Sequence, residues 1–221
     1  MSAGKIVLLV LGLIILLVSV GLLFTGGAII WADIAIKDSE GFYTTKTIQL
    51  EKDSHAIITE PAGIDLEAAW IWDWSNLVTF KVGGSNDNSS KQIFIGIAQE
   101  SDLNDYLSDV EYDEITKFSI YPYNVEYTNH PGDSEPGAPT SQTFWIASAH
   151  GDGTQTLEWE LEAGTYSLVL MNADGSADVD LSVVVGAKVP LIFGVGVGLL
   201  VGGIVALLLG ALMIVLAVLR S

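Results

Sequence analysis

The chain has 221 residues, and its 27 Asp and Glu residues outnumber nine Lys and Arg residues, which gives a net charge of −18. So acidic a surface repels nucleic acid, which argues against a nucleic-acid-binding function and favours solubility or the attraction of cations. Because the sequence has no cysteine, disulfide bonds, thiol catalysis and lipid attachment to cysteine are excluded.

Residues 1–31 are predicted to form a transmembrane helix. Ile6 to Trp31 contains no charged residue and no histidine, and about 20 apolar residues suffice to cross a bilayer. Lys5 before an apolar run also resembles a signal peptide, but the run is about twice as long as a signal-peptide core, which favours an uncleaved anchor. Three small residues spaced by seven predict a helix-packing face: Gly12, Ser19 and Gly26.

Residues 32–188 are predicted to form one acidic all-β domain, an antiparallel sandwich. Short stretches rich in β-branched and aromatic residues indicate strands, and turn residues such as Gly151-Asp152-Gly153 separate them. The predicted strands are Phe42 to Leu50, Ser54 to Glu60, Leu77 to Val82, Lys91 to Ala98, Phe118 to Tyr123, Thr143 to Ala149, Thr154 to Leu161, Thr165 to Met171 and Ala177 to Val185. Strands this short and numerous imply two packed sheets.

Two segments between the strands have a different character. Ser101 to Asp109 is predicted to be the one helix of the domain, with Ser101 as its N-cap and an apolar stripe of Leu103, Tyr106 and Leu107. Residues 124–142, rich in proline, are predicted to be irregular, as binding loops and disordered segments often are.

Three tryptophans alternate with other residues in the domain: Trp70, Trp72 and Trp74. In an extended segment their indoles share one face. Such a platform could bind sugar rings, the membrane interface or a partner subunit. The alternative is that the three rings fill the sandwich core, because tryptophan is highly buried on average.

Two groups of acidic residues suggest a calcium site as one interpretation. The first is Asp102, Asp105, Asp109, Glu111, Asp113 and Glu114, and the second is Asp174, Asp178 and Asp180 beside Asn172. Calcium takes six to eight oxygen ligands, but neither group has EF-hand spacing. A solvated acidic face is the favoured interpretation, with calcium at Asp174, Asp178 and Asp180 as the alternative. No other cofactor is predicted.

No catalytic residue is predicted. His55, His130 and His150 are far apart, and the sequence has no zinc-protease motif, nucleophile elbow or phosphate loop. His150 could serve a hydrolytic site only together with a distant serine. Asn88-Ser89-Ser90 matches the acceptor motif for N-glycosylation in a polar loop, and the use of such a motif depends on the host.

Residues 189–221 are predicted to form a second transmembrane helix, because Val189 to Leu219 is uncharged. Five small residues recur at every fourth position: Gly194, Gly198, Gly202, Ala206 and Gly210. This pattern predicts a glycine zipper, a groove that lets another backbone approach closely. The first helix of the same chain or a neighbouring subunit could occupy it.

Four segments of the domain form a recognisable set: Phe94-Ile95-Gly96-Ile97-Ala98, Phe144-Trp145-Ile146-Ala147-Ser148, Leu157-Glu158-Trp159 and Gly164 to Ser176. Together they resemble segments of an uncharacterised family of prokaryotic two-span proteins with an extracytoplasmic β domain. The resemblance covers most of the domain and the two-span topology, and it implies no established activity. Gly164-Thr165-Tyr166 is also similar to the closing strands of prepeptidase C-terminal modules.

The flanking charges predict orientation. Lys5 precedes the first span and Arg220 follows the second, so the positive-inside rule places both termini in the cytoplasm and the domain outside it. Spans without ionisable groups argue against a carrier or proton pump. The sequence predicts a non-enzymatic accessory or structural subunit of the cell membrane, whose sandwich mediates interaction with a membrane-protein partner or with further copies. The alternatives are an oligomeric channel-like protein and a carbohydrate- or calcium-binding surface module.

Overall fold

The computed structural model describes residues 3–64, 78–120 and 123–219. The chain divides into two compact units, residues 1–37 with 189–221, and residues 38–188. The described helices and strands, in chain order, are α1 (Ala3–Ile36), β1 (Tyr43–Thr44), β2 (Ile48–Lys52), β3 (Ala56–Thr59), β4 (Ala62–Ile64), β5 (Thr79–Asn86), β6 (Ile93–Gln99), α2 (Glu100–Tyr106), β7 (Tyr112–Ile120), β8 (Tyr123–His130), β9 (Ala147–Gly151), β10 (Gln155–Glu160), β11 (Gly164–Asn172), β12 (Val179–Lys188) and α3 (Pro190–Leu219).

The first unit consists of the apolar helices α1 and α3, which pack along each other. They have 34 and 30 residues, so they are about 51 Å and 45 Å long, beyond the ~30 Å hydrocarbon core of a bilayer. Both helices are long and apolar enough to cross a membrane, and only 11% of the most apolar window of each is buried within the chain. Helices in the core of a soluble protein bury most of that surface.

The second unit contains two sheets. The five-stranded sheet has the order β1-β12-β5-β10, with β2 also paired to β12. The seven-stranded sheet has the order β8-β7-β3-β11-β6-β9, with β4 also paired to β11. The predicted two-sheet region is therefore confirmed, but β3 and β7 pair in parallel. The expectation of a purely antiparallel sandwich is wrong at that pair, because strand direction between distant segments depends on the path of the chain and not on local pattern.

The largest local differences from the predicted elements are in β7, β8 and α2. Strand β8 occupies the first part of the predicted loop 124–142, and β7 begins at Tyr112, within the predicted acidic cluster. Helix α2 has Gln99 at its N-cap, without a capping side chain, so the prediction that Ser101 caps it is wrong. In β8, Tyr123, Val125 and Tyr127 alternate with polar residues, which is typical of a strand. The prolines further along 124–142 favoured the irregular interpretation, which is wrong for this part of the segment.

Two hydrophobic clusters stabilise this unit. Inward side chains of both sheets form the larger cluster, which includes Ile57, Ile95 and Leu181. A second cluster lies on the other face of the seven-stranded sheet, where Leu103 of α2 packs near Phe94. Strands β6 and β11 are buried on both faces for this reason, which explains their nearly continuous apolar sequences.

Candidate functional site

Small residues spaced by seven bring the backbones of α1 and α3 together. The buried residues are Gly12, Ser19, Gly26 and Asp33 in α1, and Gly196, Gly203, Gly210 and Ala217 in α3. A β-carbon on Gly26 would lie 2.8 Å from the carbonyl oxygen of Gly196. A β-carbon on Gly210 would lie 3.0 Å from the carbonyl oxygen of Gly12. This ordering makes the two helices antiparallel, and only glycine at these positions permits so close an approach.

Polar groups on the same face of α1 have partners. The Ser19 hydroxyl donates to the carbonyl oxygen of Leu16 at 2.7 Å. Asp33, which is only 4% exposed, lies with its Oδ1 2.7 Å from Nζ of Lys37, one helical turn further on. A buried carboxylate needs such a partner, because an isolated charge is costly to remove from water.

The predicted stripe with four-residue spacing lies mostly outside the α1 contact. Gly210 takes part in the contact, and Ala206 is half-buried. A β-carbon on Gly194, Gly198 or Gly202 would meet no atom of the described residues within 4 Å. The stripe therefore offers a second, unoccupied surface for close helix packing.

Helical geometry explains why two glycine patterns on one helix diverge. Residues spaced by four are displaced by about 40° around a helix of 3.6 residues per turn, so the stripe with four-residue spacing winds around α3. Residues spaced by seven are displaced by only about 20°, so the small residues with seven-residue spacing stay on one face. Sequence reasoning missed Gly196, Gly203 and Ala217, although their spacing matches that of the small residues in α1.

A polar groove of about 390 Å³ lies on the outer face of the five-stranded sheet. Six hydroxyl residues line this groove: Thr44, Thr47, Ser85, Thr154, Thr156 and Ser182. Its floor includes Gly83, where the nearest atom to an added β-carbon would be Oγ1 of Thr156 at 3.8 Å. Gly83 and Thr156 are paired across β5 and β10. Because glycine has no side chain and threonine is small, the groove is open to a flat ligand that forms hydrogen bonds.

Lys81 also lines the polar groove. Its Nζ donates to Oδ2 of Asp38 and Oε2 of Glu40, each at 2.7 Å, and lies 4.2 Å from the ring centre of Phe42. Phe42 is only 2% exposed, and Lys188 approaches the same ring with Nζ at 5.4 Å. These contacts fasten the first residues of the domain to its last strand.

The charges around Lys81 are compensated. The hydrogen bond from Lys81, followed by the backbone amides of Phe42 and Glu40, lowers the pKa of Asp38 from 3.8 to about 2. Burial acts to lower the pKa of Lys81, but the hydrogen bonds to Asp38 and Glu40 outweigh it, so that pKa is raised. The groove thus presents hydroxyl groups and a paired ammonium, which suit hydrogen bonding more than charge recognition.

The structure does not bring the three histidines together. His130 Nε2 lies 2.9 Å from Oε2 of Glu114, under the stacked ring of Tyr112, at 4.4 Å between ring centres. His55 Nδ1 lies 2.9 Å from the carbonyl oxygen of Gly175, and the His150 ring is stacked 6.3 Å from that of Phe94. In the part of the chain that the structure describes, these histidine contacts are to a carbonyl oxygen, a carboxylate and an aromatic ring.

The predicted acidic cluster is dispersed among separate partners. Asp113 is buried, accepts a hydrogen bond from the Ser54 hydroxyl at 2.9 Å and lies 3.3 Å from Nζ of Lys52. Asp109 accepts from the Ser134 hydroxyl at 2.7 Å. Asp102 and Asp105 line a shallow surface pocket beside Tyr106 and Phe144.

The proposed calcium ligands do not converge. Among the described residues, no group of three His, Asp or Glu side chains is placed to hold a metal ion. Asp174 Oδ1 accepts from the Ser176 amide at 3.0 Å, which is the largest cause of its lowered pKa. The carbonyl oxygen of Ala177 accepts from Lys91 Nζ at 2.7 Å and from Asn172 Nδ2 at 2.9 Å. Lys91 and Asn172 thus donate to the backbone of the segment that carries these carboxylates.

Trp70, Trp72 and Trp74 lie outside the described residues, so the tryptophan platform stays a prediction.

Comparison with known proteins adds no family. No protein-family model matches the chain, and no curated protein matches it. The resemblance to two-span proteins with an extracytoplasmic β domain therefore stays a prediction. Three of the segments that carry it include residues of strands β6, β9 and β11, which are neighbours in the seven-stranded sheet.

Proposed function

We propose that this protein is a non-enzymatic accessory or structural subunit, anchored in the cell membrane by α1 and α3. In this proposal both termini are cytoplasmic, and the β domain lies outside the cytoplasm and mediates interaction or assembly. The observation that carries the proposal is the second small-residue surface of α3, defined by Gly194, Gly198 and Gly202, which the α1 contact leaves free.

The apolar surface of the two helices supports membrane insertion. Large side chains such as Leu17, Phe24 and Leu208 are exposed along both helices. Water would make so large an apolar surface unfavourable, whereas hydrocarbon removes the cost. Lys5 and Arg220 at the two termini support the cytoplasmic placement of both ends.

The unused glycines support assembly through α3. Each glycine in a helix interior lowers the stability of the helix by about 1 kcal/mol relative to alanine. Glycines that face lipid would lower helix stability and make no compensating contact. In a bilayer, helices associate through close packing of small residues. A second helix packed on Gly194, Gly198 and Gly202 would offset this loss of stability through close backbone contact. That helix would come from another copy of the chain or from a larger membrane complex.

The dispersed side chains of the domain support a non-enzymatic function. Hydrolytic catalysis needs a nucleophile, a base and an orienting group within hydrogen-bond distance. The three histidines instead contact a backbone carbonyl, a carboxylate and an aromatic ring. Such contacts support a structural role for the three histidines.

The test replaces one glycine on the free surface and compares the assemblies. Gly202→Ile adds a side chain to the proposed contact, and Ile204→Leu, at an exposed position two residues away, is the control. We expect Gly202→Ile to shift the protein purified in mild detergent towards smaller particles or to release a co-purifying partner, with Ile204→Leu unchanged. If both variants keep the size and partners of the wild type, assembly through this surface is rejected.

Orientation has a separate test. Protease added to intact cells should remove the β domain while tags at both termini stay protected. Digestion of either tag under these conditions would reject the proposed topology.

The polar groove supports a second candidate function, a carbohydrate-binding surface. Its six hydroxyl residues and open glycine floor match the hydrogen-bonding groups of a sugar. Titration of the full chain with oligosaccharides should perturb NMR signals of Thr154 and Thr156 in wild type, and Gly83→Val should abolish the effect by filling the floor. Absence of saturable binding in the wild type would reject this candidate.

A further inference from the structure

The loop between β5 and β6 holds an asparagine with an accessible side-chain amide. Asn88 is the only asparagine in the sequence that is followed two positions later by serine or threonine, here Ser90. Asn88, Ser89 and Ser90 are all exposed. The Lys91 amide donates to the carbonyl oxygen of Asn88 at 3.0 Å, which closes a four-residue surface turn.

Hydrogen bonding within this turn orients the Asn88 side chain. Its Oδ1 accepts from the Ser90 amide at 3.1 Å and from the Ser90 hydroxyl at 2.7 Å. No acceptor for Nδ2 of Asn88 is present among the described residues. The carbonyl side of the amide is therefore engaged by the motif's own serine, and the nitrogen faces solvent.

Other asparagine side chains of the domain are already committed. Asn86 Nδ2 donates to Oδ1 of Asn172 at 2.7 Å, and Asn172 Nδ2 donates to three backbone carbonyls. Asn124 and Asn129 donate to carboxylates at 3.0 and 3.3 Å. Asn88 thus combines the acceptor motif, exposure and a free nitrogen.

The turn also lies where a bulky group meets little obstruction. Thr79, at the start of β5, pairs with Lys188 at the end of the domain, and Asn86 pairs with Leu181. Thr79 and Asn86 are seven residues apart in β5, a distance of roughly 23 Å at about 3.3 Å per residue. The turn therefore follows the end of β5 that is remote from Lys188, and a group on Asn88 would project from that end of the sheet.

We propose that Asn88 is the acceptor of an N-linked oligosaccharide. This inference rests on the extracytoplasmic placement of the domain, because transfer of such chains occurs on exported segments. The donor is an oligosaccharide joined through its anomeric carbon to a lipid phosphate or pyrophosphate. A bond forms between that carbon and Nδ2 of Asn88, and the bond from the carbon to the phosphate oxygen breaks. Nδ2 releases one proton, and the lipid phosphate leaves with the bonding electrons.

The test uses full-length protein isolated from membranes of its own host. Trypsin cleavage after Lys81 and Lys91 gives a peptide of residues 82–91 that contains the acceptor motif. Tandem mass spectrometry should find this peptide carrying sugar residues on Asn88. Ser90→Ala should cause loss of the modified peptide, and Ser89→Ala, the matched control, should retain it. Ser90→Thr should also retain it, because threonine supplies the same hydroxyl.

Each outcome decides the proposal. An unmodified peptide 82–91 in wild-type protein overturns it, as does a sugar retained by Ser90→Ala or lost in Ser89→Ala. Protease treatment of intact cells, run in parallel, separates the two proposals. If the domain is digested from outside and the peptide is unmodified, the glycosylation proposal is rejected and the proposed orientation is retained. If the domain is protected and the peptide is unmodified, both proposals are rejected.

Discussion

Helices α1 and α3 pack closely because glycine, which has no side chain, occupies the contact positions. A β-carbon on Gly26 would lie 2.8 Å from a backbone oxygen of the other helix, so the backbones themselves are in contact. In the β domain, packing is achieved by filling space: the rings of Phe94 and Trp145 lie 4.8 Å apart, and Gly96 leaves room for the latter. The same residue type, glycine, thus creates the contact in one unit and accommodates a large side chain in the other.

The solvent around each unit determines how its core is stabilised. In water, burying large apolar side chains supplies most of the free energy of folding. Within lipid, the proposed environment of α1 and α3, this term vanishes between helices, and close packing of small residues replaces it. Substitutions that remove volume should therefore harm the β domain most, and substitutions that add volume should harm the helix pair.

The largest effect is expected from removing volume in the domain. Phe94 is 0% exposed, and Phe94→Ala should lower the free energy of unfolding by about 3–5 kcal/mol. Phe118, which is 43% exposed, is the control, and Phe118→Ala should cost less than about 1 kcal/mol. Denaturant unfolding of the full chain in detergent, followed by tryptophan fluorescence, measures both. Equal losses would contradict the assignment of Phe94 to a packed cluster.

Adding a single methyl group should separate the helices. Gly26→Ala places a β-carbon against the backbone of α3 and should destabilise the helix pair by about 1–3 kcal/mol, the usual cost of overpacking. The neighbouring Gly27→Ala is a matched control, because a β-carbon there meets no atom of the described residues within 4 Å. Cross-linking between α1 and α3 across a titration with denaturing detergent gives the difference. A stronger effect at residue 27 than at residue 26 would place the contact on another face of α1.

The ion pair at the polar groove should make stability depend on acidity. The pKa of Asp38 is lowered from 3.8 to about 2, chiefly by Lys81. Its stabilising contribution is therefore complete above about pH 4 and is lost as the pH falls through the folded-state pKa near 2. Melting temperatures of wild type and Lys81→Met should differ most above pH 4 and converge towards pH 2.

A charge-matched control separates this pair from general electrostatics. Lys46 is exposed, so Lys46→Met removes one charge without breaking the contact with Asp38. It should show no convergence with the wild type between pH 4 and pH 2. The same pH dependence in both variants would assign the effect to net charge.

The smallest effect is expected from the exposed pair Lys117 and Glu126, whose charged atoms lie 2.9 Å apart. Lys117→Met should leave the melting temperature unchanged within error, because solvent screens exposed ion pairs. The hydrogen bond from Lys117 lowers the pKa of Glu126, so the variant should restore that pKa to its ordinary range in an NMR titration. A large loss of stability would show that this hairpin is packed against a further element.

Local patterns predicted much of the domain because burial imposes a period on a strand. Leu157 and Trp159 alternate with Glu158 and Glu160, and the structure confirms this alternation in β10. The stripe of Leu103 and Leu107 is likewise buried. The same alternation is present in β8, where Tyr123, Val125 and Tyr127 are separated by polar residues, but the prolines further along the segment favoured an irregular interpretation.

Long apolar runs, the period-two strands and the seven-residue spacing of Gly12, Ser19 and Gly26 could all be recognised in the sequence, because each is a local consequence of burial. Which glycines of α3 meet α1 was decided only by the tertiary structure, since two spacings on one helix point to different faces. The parallel pairing of β3 with β7 and the joining of Lys81 to Asp38 were decided in the same way. Contacts between distant segments depend on the path of the whole chain, which no local pattern encodes.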